Sequence, residues 1–291
     1  MREFTGCTAL VTGAAGGIGR ALALAAAARG MRVLVGDIDA ESTAAVAADC
    51  LAAGAPASRA RVLDVRDAVA FENIVAEVSQ EWGGVDLLFC NAGVLVPRRL
   101  WEQTAREFDW LFDVNVKGVV NGIRACVPGM LARSRDAGRE AHVVITGSMG
   151  GLIASPMLGA YSGSKAALAA IAETLYLDLA AIKSRIGVSL LAPGAVRSRI
   201  FEAERHHEAG AEPLAGAGAA LREAMIAGTA RVGMNPEQVA AVTFEAIESG
   251  RFWVFPHPEM LAALPARQAA MLEGRNPQFD FGRDFRPPGG R

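Results

Sequence analysis

The sequence predicts an α/β fold in which helices cover both faces of a parallel β-sheet, the doubly wound arrangement. Short runs rich in Val, Leu and Ile recur along the chain, and helix-length stretches with apolar residues at the helical period lie between them. The short runs are continuously apolar, as in strands buried on both faces of a sheet. Strands that alternate with helices in this way are typical of βαβ units.

The predicted elements follow one another in regular order. Six apolar runs are predicted strands, at residues 7–11, 31–36, 60–63, 85–90, 142–146 and 187–191. The predicted helices are residues 17–29, 40–53, 68–82, 106–132 and 161–182. A further helix at about 236–249 precedes an apolar run at 252–255, which we expect to add one more strand. Because ligands of such sheets bind beyond the carboxyl ends of the strands, we expect the functional residues there.

Length and composition favour one globular domain. The chain has 291 residues, of which 52% are hydrophobic and 21% charged, and it shows no internal repeat or dividing linker. We therefore expect residues 1–291 to form a single domain. The formal charge of −2 provides no basic field, so we expect neither nucleic acid nor an anionic membrane as a partner. Small molecules and copies of the same chain are the expected partners.

Two C-terminal segments differ from the regular alternation. Residues 198–232 contain a charged cluster with His206 and His207 and then an Ala/Gly-rich patch, and we expect them to form a lid over the pocket mouth. Residues 276–291 form a tail rich in Gly, Pro, Arg and Phe. We expect Phe201, both histidines and the chain from Met260 onward to shape substrate access. Adjacent histidines point in different directions, so we expect no metal site.

The cysteines and the N-terminus indicate the cellular compartment. Cys7, Cys50, Cys90 and Cys126 are widely spaced and each falls within an apolar stretch, which favours buried, reduced thiols. Residues 1–6 lack the features of an export signal. We therefore expect a cytoplasmic protein.

A glycine-rich turn follows the first predicted strand and opens the first predicted helix. Its members are Gly13, Gly16, Gly17, Ile18 and Gly19. Glycines at such a turn let the backbone approach a pyrophosphate, whose charge is met by free amides and by the positive end of the helix. The turn alone would also fit an ordinary strand-to-helix connection. The strand before it and the helix after it are the context that dinucleotide binding requires.

Polar residues end the next strands at the same edge of the predicted sheet. Asp37, which Ile38 follows, lies where an acidic side chain accepts hydrogen bonds from the adenosine ribose, and it would repel the 2′-phosphate of NADP. We therefore expect NAD as the cofactor. The pair Asp64 and Val65 follows the third strand, and the triplet Asn91, Ala92 and Gly93 follows the fourth. These residues suit an adenine rim and backbone support beneath the cofactor.

Four residues have the chemistry of a proton-transfer site. Tyr161 and Lys165 lie four residues apart, so a helix would present both on one face, where the ammonium would make the phenol more acidic. Ser148 follows the fifth predicted strand, at the edge where it would hold a substrate oxygen beside Tyr161. Asn115 lies inside a long apolar helix, where a polar side chain either caps a kink or holds a water in a proton path.

Taken together, these residues resemble the short-chain dehydrogenase/reductase family. The resemblance runs from about residue 5 to residue 255 and includes the Thr-Gly-x-x-x-Gly-Ile-Gly loop, Asn-Ala-Gly, the helix Asn, Ser148 and Tyr-x-x-x-Lys. It implies a Rossmann-type fold, a dimer or tetramer, and a catalytic tetrad of Asn115, Ser148, Tyr161 and Lys165, with Lys165 also on the nicotinamide ribose. The segment that would contact the nicotinamide contains Pro193, Gly194, Val196 and Ser198.

The resemblance implies an NAD-dependent oxidoreductase that interconverts a secondary alcohol and a ketone. Phrases such as Phe255-Pro256-His257-Pro258-Glu259 are similar to members that oxidise bulky or aromatic-bearing alcohols, for example the Cα-dehydrogenases of lignin-derived aryl ethers. Two alternatives stay open. One is an NAD-binding scaffold or regulator without turnover, and the other is a lyase, epimerase or dehydratase that uses NAD without net exchange.

Overall fold

A seven-stranded parallel sheet forms the centre of the molecule. The computed structural model describes residues 1–206 and 213–279. Within them the strands are β1 (Thr8–Thr12), β2 (Arg32–Asp37), β3 (Ser58–Val62), β4 (Leu87–Cys90), β5 (Ala141–Thr146), β6 (Ile186–Leu191) and β7 (Trp253–Val254). Their order is β3-β2-β1-β4-β5-β6-β7, and every neighbouring pair is parallel. The strand order reverses between β1 and β4, so their carboxyl ends flank a crevice where a ligand can bind.

Ten helices accompany the strands in the described part of the chain. They are α1 (Gly17–Ala27), α2 (Ala40–Ala52), α3 (Ala68–Trp82), α4 (Ala105–Phe112), α5 (Gly118–Ala137), α6 (Met149–Leu152), α7 (Gly159–Ala181), α8 (Gly216–Val232), α9 (Pro236–Ser249) and α10 (Ala263–Leu272). Short 3₁₀ turns occur at Leu100–Glu102, Ile200–His206 and Pro258–Ala262. None of the described helices is long and apolar enough to cross a lipid bilayer.

The helices bury both faces of the sheet, as the doubly wound prediction requires. On one face, apolar residues of α1, α2 and α9 pack on β1 and β2, with Leu22, Val46 and Phe244 among the buried side chains. On the other face, α3, α5 and α7 supply residues such as Phe71 and Leu168. The central strands are buried throughout, which explains why their sequences are continuously apolar.

The predicted helix at 106–132 is wrong as a single element. The structure divides it into α4, a π-helical turn at Asp113–Lys117 and α5. A capping box formed by Thr104 and Glu107 starts α4. The π-helical turn contains Asn115, so the polar residue in the apolar stretch marks a change in helix geometry.

The predicted lid at residues 198–232 contains a regular helix, α8, which the sequence did not reveal. At its carboxyl end, the backbone of Val196 pairs with that of Met234. Towards its amino end, the Arg98 guanidinium donates to the Pro213 carbonyl oxygen at 3.4 Å. The helix is thus anchored at both ends to loops that follow sheet strands. His207 and most of the tail, residues 280–291, lie outside the described residues.

Candidate active site

A cavity of about 570 Å³ opens at the carboxyl edge of the sheet, over the β1–β4 crevice. Loops that follow β1 to β6 line it, and α8 closes one side. The cavity wall includes nearly all of the residues predicted from sequence: Gly13, Gly16, Gly17, Ile18, Asp37, Ile38, Asp64, Val65, Asn91, Ala92, Gly93, Ser148, Tyr161, Lys165, Pro193, Gly194, Val196 and Ser198. Gly19 and Asn115 are the two predicted residues that are not part of this wall.

Two glycines of the turn between β1 and α1 are too tightly packed to be replaced by residues with side chains. Gly13 has φ +64°, and a methyl group added there would lie 2.6 Å from the Cα of Ala92. A methyl on Gly19 would lie 2.1 Å from the carbonyl oxygen of Gly13, so Gly19 lets the first turn of α1 pack on the loop. No side chain caps α1 at Gly16. The first amides of α1 therefore remain suited to an anion.

Asp37 joins the glycine-rich turn to the end of β2. Its Oδ2 accepts a hydrogen bond from the Ala15 amide at 3.0 Å, and its Oδ1 accepts one from the Asp39 amide at 3.2 Å. Each carboxylate oxygen keeps a second lone pair, so the side chain can also accept from a ligand in the cavity. The same carboxylate thus shapes the loop and faces the cavity.

Asp64, at the end of β3, carries its own counter-ion. The Arg66 guanidinium donates to both carboxylate oxygens, with the shortest contact 2.7 Å from Nη2 to Oδ2. Burial acts to raise the pKa of Asp64, but the hydrogen bonds and charge of Arg66 lower it overall. Sequence reasoning placed Asp64 at this edge and missed its partner, which also lines the cavity.

Asn91 fastens the carboxyl ends of three central strands to one another. Its Nδ2 donates to the carbonyl oxygens of Thr12 and Gly13, each at 3.1 Å. Its Oδ1 accepts from Thr146 Oγ1 at 3.3 Å. Asn91 therefore links the carboxyl ends of β1, β4 and β5 at the cavity wall, and its support of a cofactor stays a prediction.

Ser148, Tyr161 and Lys165 meet at the end of β5. Tyr161 and Lys165 lie one turn apart on α7, and Lys165 Nζ lies 5.8 Å from the centroid of the Tyr161 ring. Lys165 Nζ donates to the Thr146 carbonyl oxygen at 2.8 Å, which holds the ammonium at the sheet edge. Ser148 Oγ accepts from the Gly150 amide at 3.0 Å at the start of α6. The four-residue spacing of Tyr161 and Lys165 therefore places the two side chains together, beside Ser148, in the folded chain.

Burial controls the ionisation of the two α7 groups. Burial raises the pKa of the Tyr161 phenol, and a hydrogen bond with Ser148 opposes that rise. Burial also lowers the pKa of Lys165 to about 8. The expected lowering of the Tyr161 pKa by the Lys165 ammonium is therefore not found in this structure. Burial sets the direction of the shift, and Ser148 is the group that favours the phenolate.

Asn115 acts within the protein framework. It is fully buried in the π-helical turn. Its Oδ1 accepts from the Val94 amide at 2.8 Å, and its Nδ2 donates to the Val94 carbonyl oxygen at 3.0 Å and to Ser164 Oγ at 2.9 Å. These contacts favour the kink-capping interpretation and tie the π-helical turn to α7 beside Tyr161. A part in holding a water stays a prediction.

Comparison with known proteins agrees with this geometry. The sequence profile of the family described as short chain dehydrogenase matches residues 7–209. The chain belongs to the short-chain dehydrogenase family.

Three proteins similar to this short-chain dehydrogenase cover between 66% and 96% of the chain. A solved short-chain dehydrogenase/reductase from Burkholderia phymatum, in complex with NAD, is 35% identical with a TM-score of 0.90, over 96% of this chain and 99% of that chain. A C alpha-dehydrogenase of Sphingobium sp. is 31% identical over 95% of this chain and 89% of that protein. A sorbitol dehydrogenase of Cereibacter sphaeroides is 36% identical over 66% of this chain and 71% of that protein.

Sequence reasoning missed much of the apolar wall of this short-chain dehydrogenase. One side of α8 lines the cavity with Leu221, Met225, Thr229 and Val232, which recur at the helical period. That spacing was the available signal, but the surrounding glycines and alanines obscured it. Trp110 and Leu158 also line the cavity and belong to one apolar cluster with Tyr161 and Phe201. Phe201 was predicted to shape access, and it lines the cavity.

Arg199 is a second cavity residue that the sequence did not single out. It follows Ser198 directly and lines the cavity, and its Nη2 lies 3.9 Å from the position of a methyl group on Gly16. A cation therefore lies beside the glycine-rich turn. The sequence feature that could have identified Arg199 is its position, one residue beyond the segment predicted to contact the nicotinamide.

Proposed function

We propose that this chain is an NAD-dependent oxidoreductase that interconverts a secondary alcohol and a ketone, with Tyr161 as general acid and base. One observation carries the proposal: the proton-transfer cluster and the glycine-rich turn line a single cavity. The relatives named as C alpha-dehydrogenase and sorbitol dehydrogenase support alcohol oxidation, and the Burkholderia phymatum structure with NAD supports the cofactor.

The residues at the sheet edge fit a dinucleotide. The turn at Gly13 leaves no room for side chains, and the uncapped start of α1 offers amides to a pyrophosphate. Asp37 would accept hydrogen bonds from the adenosine ribose, and Asp64 and Val65 would border the adenine. When bound, nicotinamide supplies the hydride acceptor for alcohol oxidation and the donor for ketone reduction.

Four side chains would take part in proton transfer. Ser148 would hold the substrate oxygen, and the Tyr161 phenolate would take the hydroxyl proton as the carbon gives up its hydride. In the reverse direction the Tyr161 phenol would return that proton. Lys165, held at the sheet edge by Thr146, would bind the nicotinamide ribose and place a positive charge near the phenolate. Asn115 would keep α7 in register and help to hold a proton-relay water.

NAD rather than NADP is the proposed cofactor because of charge at the end of β2. Asp37 presents its carboxylate to the cavity where a 2′-phosphate would lie. Arg66, a cation that also lines the cavity, is engaged by Asp64. The two negative groups would repel one another, whereas a ribose hydroxyl would donate to the carboxylate.

A bulky or aromatic-bearing alcohol is the proposed substrate class. Trp110, Leu158, Phe201 and Met225 form apolar walls beside Ser148 and Tyr161. We propose that the lid at 198–232 confines this substrate, and that the tail at 276–291 contributes to access or assembly. The likeness to a protein named C alpha-dehydrogenase points in the same direction.

We also propose that the chain, as one domain, forms a homodimer or homotetramer in the cytoplasm. Tyr176, Leu177 and Ile182 are exposed apolar side chains in the region of α7 that oligomer formation would cover. The four cysteines are free thiols, as a reducing compartment requires.

The proposal is tested by incubating the protein with NAD and a panel of secondary alcohols, including benzylic ones. The expected result is NADH and ketone in equal amounts, followed by nicotinamide absorbance and product analysis. Product without net NADH would favour the lyase or epimerase alternative. Tight NAD binding without turnover of any alcohol or ketone would favour the scaffold alternative.

A further inference from the structure

A C-terminal segment packs directly behind the loop that follows β6. This segment begins at His257 and continues through the 3₁₀ turn Pro258–Ala262. His257 is only 4% exposed and Met260 only 5%. The loop in front of them, residues 193–195, forms part of the cavity wall. The segment thus contacts a wall of the cavity without lining the cavity itself.

Both ring nitrogens of His257 bind the backbone of that loop. The Gly194 amide donates to Nδ1 at 3.0 Å, and Nε2 lies 3.1 Å from the Ala195 carbonyl oxygen. A nitrogen that accepts from an amide carries no proton, and a nitrogen that faces a carbonyl must donate. The contacts therefore define one form of the ring, neutral with the proton on Nε2.

Close packing at Gly194 restricts movement of the 193–195 loop towards His257 and Met260. A methyl group added there would lie 2.5 Å from Met260 Sδ and 3.1 Å from His257 Cγ. Met260 also belongs to one buried apolar cluster with Met149, the residue after Ser148, and the Met149 amide donates to the Pro193 carbonyl oxygen at 3.0 Å. One segment therefore supports the loop and the Ser148 turn together.

We propose that His257 is a positioning residue that fixes the 193–195 loop against the nicotinamide end of the cofactor and so sets the affinity for NAD. This inference rests on the proposed function. The ring does not line the cavity, and its effect passes through the loop backbone. A dinucleotide fragment without nicotinamide would not use this loop, so its binding should not depend on His257.

The surroundings of the ring favour the neutral form. Burial lowers the pKa of His257, and the carboxylate of Glu259 and the hydrogen bond to Ala195 oppose that lowering. Glu259 is the charged side chain that acts on the ring among the described residues. The loop in contact with the ring contributes only uncharged backbone groups from Gly194 and Ala195.

The experiment compares His257→Phe, His257→Gln and the parent protein, with NAD and ADP-ribose as the two probes in calorimetric titrations. Phe keeps the ring volume and removes both hydrogen bonds, so we expect the Kd for NAD to rise about tenfold, as the loss of one to two net hydrogen bonds predicts. We expect the Kd for ADP-ribose to change less than about twofold, because the Phe change is confined to the nicotinamide loop.

Gln is the matched control, because its amide offers one acceptor and one donor in place of the two ring nitrogens. We expect it to restore most of the NAD affinity that Phe removes. Equal losses for NAD and ADP-ribose would reveal a general structural role and overturn the proposal, as would unchanged NAD affinity in His257→Phe. Failure of the parent protein to bind NAD would instead contradict the proposed function.

A measurement on the unmodified protein tests the same point if a variant fails to fold. The measurement is nitrogen-15 NMR of the imidazole rings. The His257 signals are assigned by their absence in His257→Gln or by coupling to the backbone. They should show Nε2 protonated and Nδ1 as an acceptor at neutral pH. A proton on Nδ1, or a doubly protonated ring, would overturn the proposal.

Discussion

Asp37 shows how one side chain can serve the local fold and the site together. Its two oxygens accept amides from the glycine-rich turn and from Asp39, while the carboxylate faces the cavity. Its identity was readable from sequence because it ends an apolar strand about twenty residues after the turn. Its second task, holding Ala15, depends on how the loop folds.

Asp37→Asn should shift cofactor preference towards NADP. The amide keeps an oxygen to accept from a backbone amide but removes the charge that would repel a 2′-phosphate. We expect the Kd for NADP to fall about tenfold, since a pair of like charges near a protein surface is worth one to a few kcal/mol. Titration of both cofactors measures the change. An unmodified protein that prefers NADP would contradict the role given to Asp37.

His142 is a buried base at the other end of the sheet's central strands. Its Nε2 lies 2.8 Å from Ser189 Oγ, and that hydroxyl donates to the Arg251 carbonyl oxygen at 2.6 Å, so Nε2 must donate to Ser189. Burial lowers the pKa of His142 to about 3. The folded protein therefore keeps this ring neutral where the unfolded chain would protonate it.

This difference predicts acid sensitivity. Between the unfolded pKa near 6.5 and the folded value of about 3, the unfolded state binds the extra proton. The free energy of unfolding should then fall with falling pH by about 1.4 kcal/mol per unit from this group. His142→Gln should flatten that slope in denaturant titrations, whereas Ser189→Ala should lower stability and keep the slope. An unchanged slope in His142→Gln would contradict the assignment.

Sequence predicted which residues form the cluster at the end of β5 but not their ionisation. Tyr161, Lys165 and Ser148 were found because local spacing and position after a strand are properties of the chain itself. The pKa of Tyr161 depends on burial by residues far apart in sequence, such as Trp110 and Phe201. The expectation from sequence considered only the Lys165 ammonium, so it gave the wrong direction for the pKa shift of Tyr161.

At the scale of elements, strands and most of their intervening helices were predicted to within a few residues, and the stretch 106–132 is an exception. The apolar period of residues 106–132 continues through Asp113–Lys117, although the backbone there widens into a π-helical turn. Periodicity reports which side chains are apolar and not how many residues each turn contains. The hydrogen bonds of Asn115 with Val94 and Ser164, which fix that turn, are tertiary contacts.

Helix α8 provides a direct test of the lid. Gly218 packs so closely on the neighbouring loop that an added methyl would lie 2.5 Å from the Pro97 carbonyl oxygen. Gly218→Ala should therefore push α8 out of place, raise the KM for a bulky alcohol about tenfold or more and leave the Kd for NAD within twofold.

Gly228→Ala is the matched control on the same helix. Gly228 also lines the cavity, but a methyl there has no atom within 4 Å, so the variant adds the same group without displacing α8 and should gain stability from helix propensity. Steady-state kinetics and thermal unfolding compare the two variants. Equal substrate kinetics in both would show that the position of α8 does not define the substrate site.

At the scale of the whole molecule, the order of the strands creates the site. Sequence predicted the strands in chain order, and the reversal between β1 and β4 follows from their pairing in space. That pairing brings Gly13, Asn91 and Ser148 to one edge although they are far apart in the chain. The supporting position of His257 arises in the same way, since it reaches Gly194 from more than sixty residues away.

Oligomer formation should depend on the exposed apolar residues of α7. Leu177 is 64% exposed, and Leu177→Asp should shift a dimer or tetramer towards monomer in sedimentation experiments. Leu51 on α2 is 51% exposed, so Leu51→Asp adds the same charge elsewhere and should leave assembly unchanged. A parent protein that sediments as a monomer would contradict the proposed oligomer.

The central claim is that Tyr161 transfers the proton in a cavity that binds NAD, and Tyr161→Phe tests it most directly. The measurement is NAD affinity together with kcat for the best alcohol of the panel. We expect the Kd for NAD to stay within about twofold and kcat to fall about 10²–10⁴-fold, the usual contribution of general acid–base catalysis. Full turnover by the Phe variant would contradict the account.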